Sequence, residues 1–307
     1  MKSAKPIAVA SRTFSRHPVL RARLEELFSN IMFNDQGLSL KDEDLVKFLS
    51  GKEGAIIALE PITENVLSKL PQLKVISKFG VGLDNLDLNA MKKYSVRLGW
   101  SGGVNKRGVS ELSLFFMLGL LRSTFSTSRE FAAGKWNNVG GVQLSAKTVG
   151  IIGCGHIGKD LVELLKPFGC KILINDLLDV SDFCRKNGAV CADKEQIWKE
   201  ADVVSLHVPF DGSTKNLIDA AVLSKMKPTA VLVNTSRGNI VDEQALFTAL
   251  KEKKIAAAAA DVFAVDPLTA SPLQQLMNFT GTAHVGGSSA EAVLAMGMSA
   301  IENLKEE

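Results

Sequence analysis

Three groups of residues in this 307-residue chain have types and spacings suited to chemistry. The first is TVGIIGCGHIG, which sets Gly153, Gly155 and Gly158 in the spacing GxGxxG between a β-rich apolar run and the helical pattern KDLVELLKPFG. Glycines so placed allow a tight turn, close approach of backbone to a pyrophosphate and close helix packing, while the helix start offers N–H donors and a positive dipole end. His156 and Ile157 then line the pyrophosphate site. The second group is the run KILIND, ending in Asp176, 18 residues beyond Gly158, where a carboxylate can accept both hydroxyls of an adenosine ribose. That acid would repel a 2′-phosphate, and no Arg follows it in LLDVSDF, so the pattern predicts NAD rather than NADP.

The third group sits where apolar runs turn out into polar residues. Arg237 lies in VLVNTSRGNIVD, where a guanidinium fork can hold both oxygens of a substrate carboxylate. His207 ends VVSLHVP, among neighbours that read as a cofactor wall, and His284 lies in TAHVGGSS, open to a structural or a proton-transfer reading. His17, before Pro18 at a helix start, reads as a solvated surface residue. The segment KKIAAAAADVFAVDP places two carboxylates, Asp261 and Asp266, five residues apart, with Pro267 limiting the backbone after the second.

The elements that must carry these residues are legible as alternation. Over roughly the first 100 residues PIAVA leads to HPVLRARLEELF, GAIIAL to TENVLSKL and LKVISKFGV to LDLNAMKKY, before SVRLGW, the pattern of parallel strands with crossover helices. RGVSELSLFFMLGLLRSTFSTSREFAAGK then predicts one helix of over 20 residues, apolar nearly all round in its first half and so buried on all sides, in part by a second subunit. A second alternation runs from TVGIIG to TGTAHVG with six or seven strands, the size of a full dinucleotide fold, and AEAVLAMGMSAIENLKEE reads as a last helix. Two such sheets imply a ligand cleft at their junction.

Composition narrows the function. An apolar fraction of 46%, a charged fraction of 22% and a net charge of +3 without basic blocks predict neither nucleic-acid nor membrane partners. The longest apolar run, LSLFFMLGLL, is half of what a bilayer requires, and the opening MKSAKPIAVASRTF does not resemble a secretory signal. Cys154, Cys170, Cys184 and Cys191 show no CxxC or paired-His spacing, so no metal is expected. A reduced, cytoplasmic setting is the resulting expectation.

Seven motifs in order, KFGVGLDNLDL, GGVNKRGVSELS, GIIGCGHIGKD, LHVPFDGSTKNLID, NTSRGNIVDEQAL, ADVFAVDP and HVGGSSAEA, resemble the D-isomer-specific 2-hydroxyacid dehydrogenases, most closely their phosphoglycerate dehydrogenase-like branch. The resemblance covers nearly the whole chain. It implies an α/β fold of two doubly wound parallel-sheet domains, a Rossmann NAD-binding domain (103–286) inserted in a flavodoxin-like substrate domain (1–102 and 287–307), and a homodimer. It implies a catalytic set of Arg237, Asp266 and His284, with His284 as general acid/base, Arg237 on the carboxylate and 2-oxygen, and Asp266 orienting the imidazole. The family usually has Glu at Asp266 and Pro at Ala283, and Asp is shorter by about 1.5 Å.

The same resemblance implies cofactor contacts from Val81, His207, Val208, Pro209, Thr214, Thr235, Ser236, Asp261, Gly286 and Gly287, with Asp261 facing the nicotinamide side. It implies that Gly80, Val81 and Gly82 cradle the substrate carboxylate beside Asn105; Arg12, in the loop after the first strand, and Lys78 read either as a replacement source of positive charge or as solvated surface residues. The segment GAIIALEPITE lacks the Arg that helps hold phosphate in phosphoglycerate enzymes, which weakens 3-phosphoglycerate as substrate and favours a small 2-hydroxy or 2-keto acid, phosphorylated or not. The chain ends soon after the last helix, leaving little room for a sensing domain. A different class, an NAD-sensing corepressor-like protein on the same fold, would bind NADH without appreciable turnover.

Overall fold

The computed structural model describes residues 1–265, 268 and 270–305. The chain forms two compact units, one of residues 1–105 and 290–307 and one of residues 106–289. In the first, β1 (Ile7–Val9), β2 (Ile31–Phe33), β3 (Gly54–Ile57), β4 (Val75–Lys78) and β5 (Arg97–Gly99) form a parallel sheet in the order β2-β1-β3-β4-β5. The strand β2 and the helix Asp42–Leu49 were not anticipated by the alternation, because IMF is only three residues long and only partly buried. The last helix, Ala290–Lys305, packs on this sheet: Ser77 Oγ donates to the Ala300 carbonyl at 2.6 Å and Arg97 to the Asn303 carbonyl at 2.8 Å. Its backbone comes so close that a Cβ on Gly99 would lie 2.8 Å from that of Asn303.

In the second unit β6 (Thr148–Ile152), β7 (Lys171–Asn175), β8 (Val190–Cys191), β9 (Val203–Leu206), β10 (Val231–Asn234), β11 (Ala257–Ala260) and β12 (Phe279–Gly281) form a parallel sheet in the order β12-β11-β10-β9-β6-β7-β8. Strands buried on both faces read as continuous apolar runs, and successive residues feed opposite layers. In β10, Leu232 enters one core cluster while Val231 and Val233 enter the other. The order reverses beside β6, which pairs with both β7 and β9, and such switch points are where ligands bind in open α/β sheets.

The long helix expected after Asn105 is instead two, Lys106–Leu121 and Thr124–Ala132, bent by 71°. Ser123 takes a left-handed φ of 52° at the break. Gly119 explains the bend: a Cβ there would lie 2.3 Å from the Phe125 ring, so glycine lets the second helix fold back and set Phe125 against Phe115 and Phe116. The first helix is not enclosed all round within the chain either, since Phe115 remains exposed while Phe116 and Met117 are buried. Among the described residues no single helix is long and apolar enough to cross a membrane.

Candidate active site

The glycine loop leaves β6 and turns into the helix His156–Leu165 with three glycines in three roles. Gly153 has φ 95°, and a Cβ there would lie 2.5 Å from the His207 carbonyl, so the loop crosses closely over the end of β9. A Cβ on Gly158 would lie 2.1 Å from the Gly153 carbonyl, which fixes helix against strand. Gly155 begins the helix with open space where its Cβ would be, leaving the helix start accessible to a pyrophosphate. His156 is exposed and Ile157 half-buried on the first turn. Asp176 follows β7 and accepts from the Cys154 N–H at 2.5 Å and the Leu178 N–H at 2.8 Å, which holds its carboxylate against the loop. These features fit a dinucleotide.

At the end of β9, His207 shares a 2.8 Å hydrogen bond with Ser205 Oγ through Nε2, while its buried Nδ1 has no partner among the described residues. Burial pushes its pKa down to about 4, so the ring is neutral. Val208 and Pro209 follow, and Thr214 Oγ1 donates to the Pro209 carbonyl at 2.8 Å, closing the turn beyond them. At the end of β10 the Thr235 and Ser113 hydroxyls meet at 2.8 Å, and Ser236 Oγ donates to Asn234 Oδ1 at 2.8 Å. Arg237 comes next; its Nη1 donates to the Ser236 carbonyl at 2.7 Å, and its own carbonyl accepts from Asn234 Nδ2. Gly238 is required here, because a Cβ would fall 1.8 Å from the Phe263 carbonyl carbon.

His284 lies beyond β12, exposed, with a left-handed φ of 54° that costs energy for a residue bearing a Cβ. Its backbone N–H donates to the Asp261 carbonyl at 2.9 Å. The buried Asp261 carboxylate accepts on Oδ1 from Thr282 Oγ1 at 2.5 Å and the Val285 N–H at 2.7 Å, and on Oδ2 from the Gly286 N–H at 2.8 Å. Hydrogen bonds to a charged group are the stronger kind, and three of them fix the turn on both sides of His284. The Asp261 carboxylate is thus engaged by the turn that carries His284, where the buried Gly286 N–H needs an acceptor. Gly286 is buried in that turn and Gly287 half-buried after it. Asp266 and Pro267 lie outside the described residues.

In the smaller unit, Gly80 turns the chain after β4 with φ 141°, and Val81 accepts at its carbonyl from Trp100 Nε1 at 3.0 Å. Gly82 is half-buried beside it, and Asn105 keeps a buried Oδ1 without a partner among the described residues. Lys78, expected as a free positive charge for substrate, is buried; its ammonium donates to the Ala58 carbonyl and to Asn85 Oδ1. A chain polar group inside the unit claims it because a buried ammonium needs partners. Arg12 is exposed at the start of the helix Arg12–Arg16. His17, expected on the surface as a solvated group, caps the helix Pro18–Leu27 by accepting from the Leu20 N–H.

Residues 114–286 match the family model of the D-isomer specific 2-hydroxyacid dehydrogenase, NAD binding domain. The chain is 34% identical over 270 residues to a D-3-phosphoglycerate dehydrogenase from Methanocaldococcus jannaschii, covering 87% of this chain but 50% of that one, so it spans about half the length of that relative. It is 31% identical over 274 residues to a hydroxypyruvate reductase from Thermotoga maritima, covering 87% of this chain and 89% of that one. Among solved structures it is similar to the holo D-mandelate dehydrogenase of Rhodotorula graminis, with a TM-score of 0.88 and 25% identity over 99% of this chain and 94% of that one. The cofactor of the larger unit is NAD, as its glycine loop, its Asp176 and the matched domain agree. The chain belongs to the D-isomer specific 2-hydroxyacid dehydrogenase family.

Proposed function

We propose that the protein is an NAD-dependent oxidoreductase that interconverts a D-2-hydroxy acid and its 2-keto acid. NAD supplies the hydride acceptor, or NADH the hydride donor. The chain's own residues do the rest: His284 takes the proton from the 2-hydroxyl or returns it to the 2-oxygen, and Arg237 pairs with the carboxylate. One observation supports this above others. Arg237 and His284 leave the same edge of the sheet as the glycine loop, from the ends of β10 and β12, and the strand between them, β11, carries the Asp261 that fixes the histidine's turn.

Asp266 is proposed to orient the His284 imidazole, with Asp in the place of the family's usual Glu. Asp266→Glu tests this: an unchanged rate and pH profile would remove Asp266 from that role. Gly80, Val81 and Gly82 are proposed to hold the substrate carboxylate beside Asn105, with the exposed Arg12 as a source of positive charge.

The substrate we propose is small and unphosphorylated, in the range of glyoxylate and hydroxypyruvate. Relatives that match this chain over most of both lengths include one named hydroxypyruvate reductase and one named glyoxylate reductase. In the segment where a phosphate-binding Arg would stand, the chain has a buried Glu60 that accepts from the Ala58 N–H at 2.6 Å. A carboxylate there repels phosphate. The decisive assay is a panel of glyoxylate, hydroxypyruvate and 3-phosphohydroxypyruvate with NADH and NADPH. Reduction of the first two with NADH, lost by a factor of about 10² to 10⁴ in His284→Ala, supports the reading. NADH binding without turnover on any of them, or full turnover in His284→Ala and Arg237→Ala, would overturn it. The exposed Phe115 supports a homodimer, which light scattering tests; a monomer at micromolar concentration would remove it.

A further inference from the structure

Two cysteines with no spacing motif in the sequence are neighbours in the fold. Cys184 lies in the helix Ser181–Asn187 and is buried; Cys191 ends β8 and is exposed. Their sulfurs are 2.8 Å apart and share a hydrogen bond. Both backbones are fixed. The N–H groups of Gly188 and Ala189 return to the Cys184 carbonyl, with Gly188 supplying the left-handed helix stop at φ 66°. β8 is held in register on β7, with Cys191 opposite Ile174 and the Ala192 N–H donating to the Ile174 carbonyl.

A disulfide bond is about 2.05 Å long, so joining these sulfurs requires less than about 1 Å of closure. The two thiols differ in access, which sets an order of events. We propose that Cys191 and Cys184 are a reversible dithiol–disulfide pair that exchanges with low-molecular-weight disulfides, Cys191 attacking first and Cys184 resolving. The Cys191 thiolate attacks one sulfur of oxidised glutathione; that sulfur–sulfur bond breaks and one glutathione leaves as thiolate. Cys184 then attacks the Cys191 sulfur, the mixed disulfide breaks, and the second glutathione leaves, taking up the proton Cys184 loses. The chain is oxidised by two electrons, one glutathione disulfide is reduced to two thiols, and no other reactant is needed.

The remaining thiols are placed differently. Burial pushes the Cys184 thiol up to about 12, and the hydrogen bond that the Cys191 thiol makes to it adds to this, so Cys184 is not the thiol that attacks first. Cys154, in the glycine loop, is buried and its thiol is pushed up to about 11 by that burial. Cys170 donates to the Leu144 carbonyl at 3.4 Å. Exposure therefore selects Cys191 as the entry point.

The test uses the full chain with oxidised glutathione, followed by trypsin without reductant and mass spectrometry. The expected result is loss of two of the four thiols and a glutathione-free link between peptides 172–185 and 187–194, reversed by dithiothreitol. Closing so short a loop constrains the unfolded chain, so the melting temperature should rise by about 2 to 5 °C on oxidation. Cys184→Ser should stop at a glutathione adduct on Cys191, Cys191→Ser should not react, and Cys154→Ser and Cys170→Ser should form the same Cys184–Cys191 link as the wild type. A stable adduct on wild-type Cys191, a link that includes Cys154, or four unreacted thiols would each overturn the proposal. These readouts need no turnover, so they stand apart from the proposed dehydrogenase activity.

Discussion

The carboxyl edge of the seven-stranded sheet is built by two different means. On its β6 and β7 side, the glycine loop is made within a dozen residues, and Asp176 adds one carboxylate across its backbone. On its β11 and β12 side, the turn that carries His284 is held by a carboxylate 21 to 25 residues earlier in the chain. The first region needs small residues and backbone shape; the second needs one acid in one buried place. Damage to the first should therefore appear in cofactor binding, and damage to the second in the chemical step.

Substitutions can separate the two. The largest expected effect is that of Gly158→Val, whose side chain would meet the backbone oxygen of Gly153, a neighbour that cannot rotate away. We expect a loss of about 3 kcal/mol or more in urea unfolding together with loss of NADH binding; normal NADH titration would show that close helix packing is not what the loop requires. Next, Asp261→Asn sets an amide donor against backbone N–H donors. It should cost about 2 to 3 kcal/mol and lower kcat while the KM for NADH stays within about twofold. A variant with wild-type kcat would break the link between Asp261 and the histidine's turn.

On the cofactor side, Asp176→Asn should raise the KM for NADH about tenfold, or about 1.4 kcal/mol, with kcat little changed. Equal losses in kcat would erase the contrast between the regions. The smallest effect concerns His207, whose folded pKa of about 4 lies below its unfolded value of 6.5. The unfolded chain takes up the proton first as pH falls, so the stability contribution is complete above pH 6.5 and is lost progressively toward pH 4. Between pH 7 and pH 6 this amounts to about 0.7 kcal/mol, which His207→Asn should remove from the pH dependence of unfolding. An unchanged slope would mean that the ring protonates as readily folded as unfolded.

Local signals carried much of this architecture. Buried parallel strands are short apolar runs, and VVSL, VLVN and TVGII announce themselves because both faces of the sheet are covered. β2 escaped notice because its three residues are only partly buried and carry no alternation. The bend at Ser123 was hidden for another reason: no proline marks it, and Gly119 reads as an ordinary helical glycine until Phe125 is seen lying on it. The pairing of Cys184 with Cys191 likewise depends on a helix stop at Gly188 and on the register of β8, neither of which follows from a spacing of seven residues.

By itself the sequence determined the glycine loop, the acid after β7, the parallel alternation and the residue types at the strand ends, since each depends on neighbours within about one element of the chain. Tertiary structure decided what those strand-end groups do. It placed Asp261 under the turn of His284, closed Lys78 into its own unit and left Arg12 exposed, because hydrogen-bond partners for buried groups are chosen by which strands lie side by side. For Asp261 the order β12-β11-β10 makes that choice, and strand order is a property of the folded chain rather than of any short stretch of it.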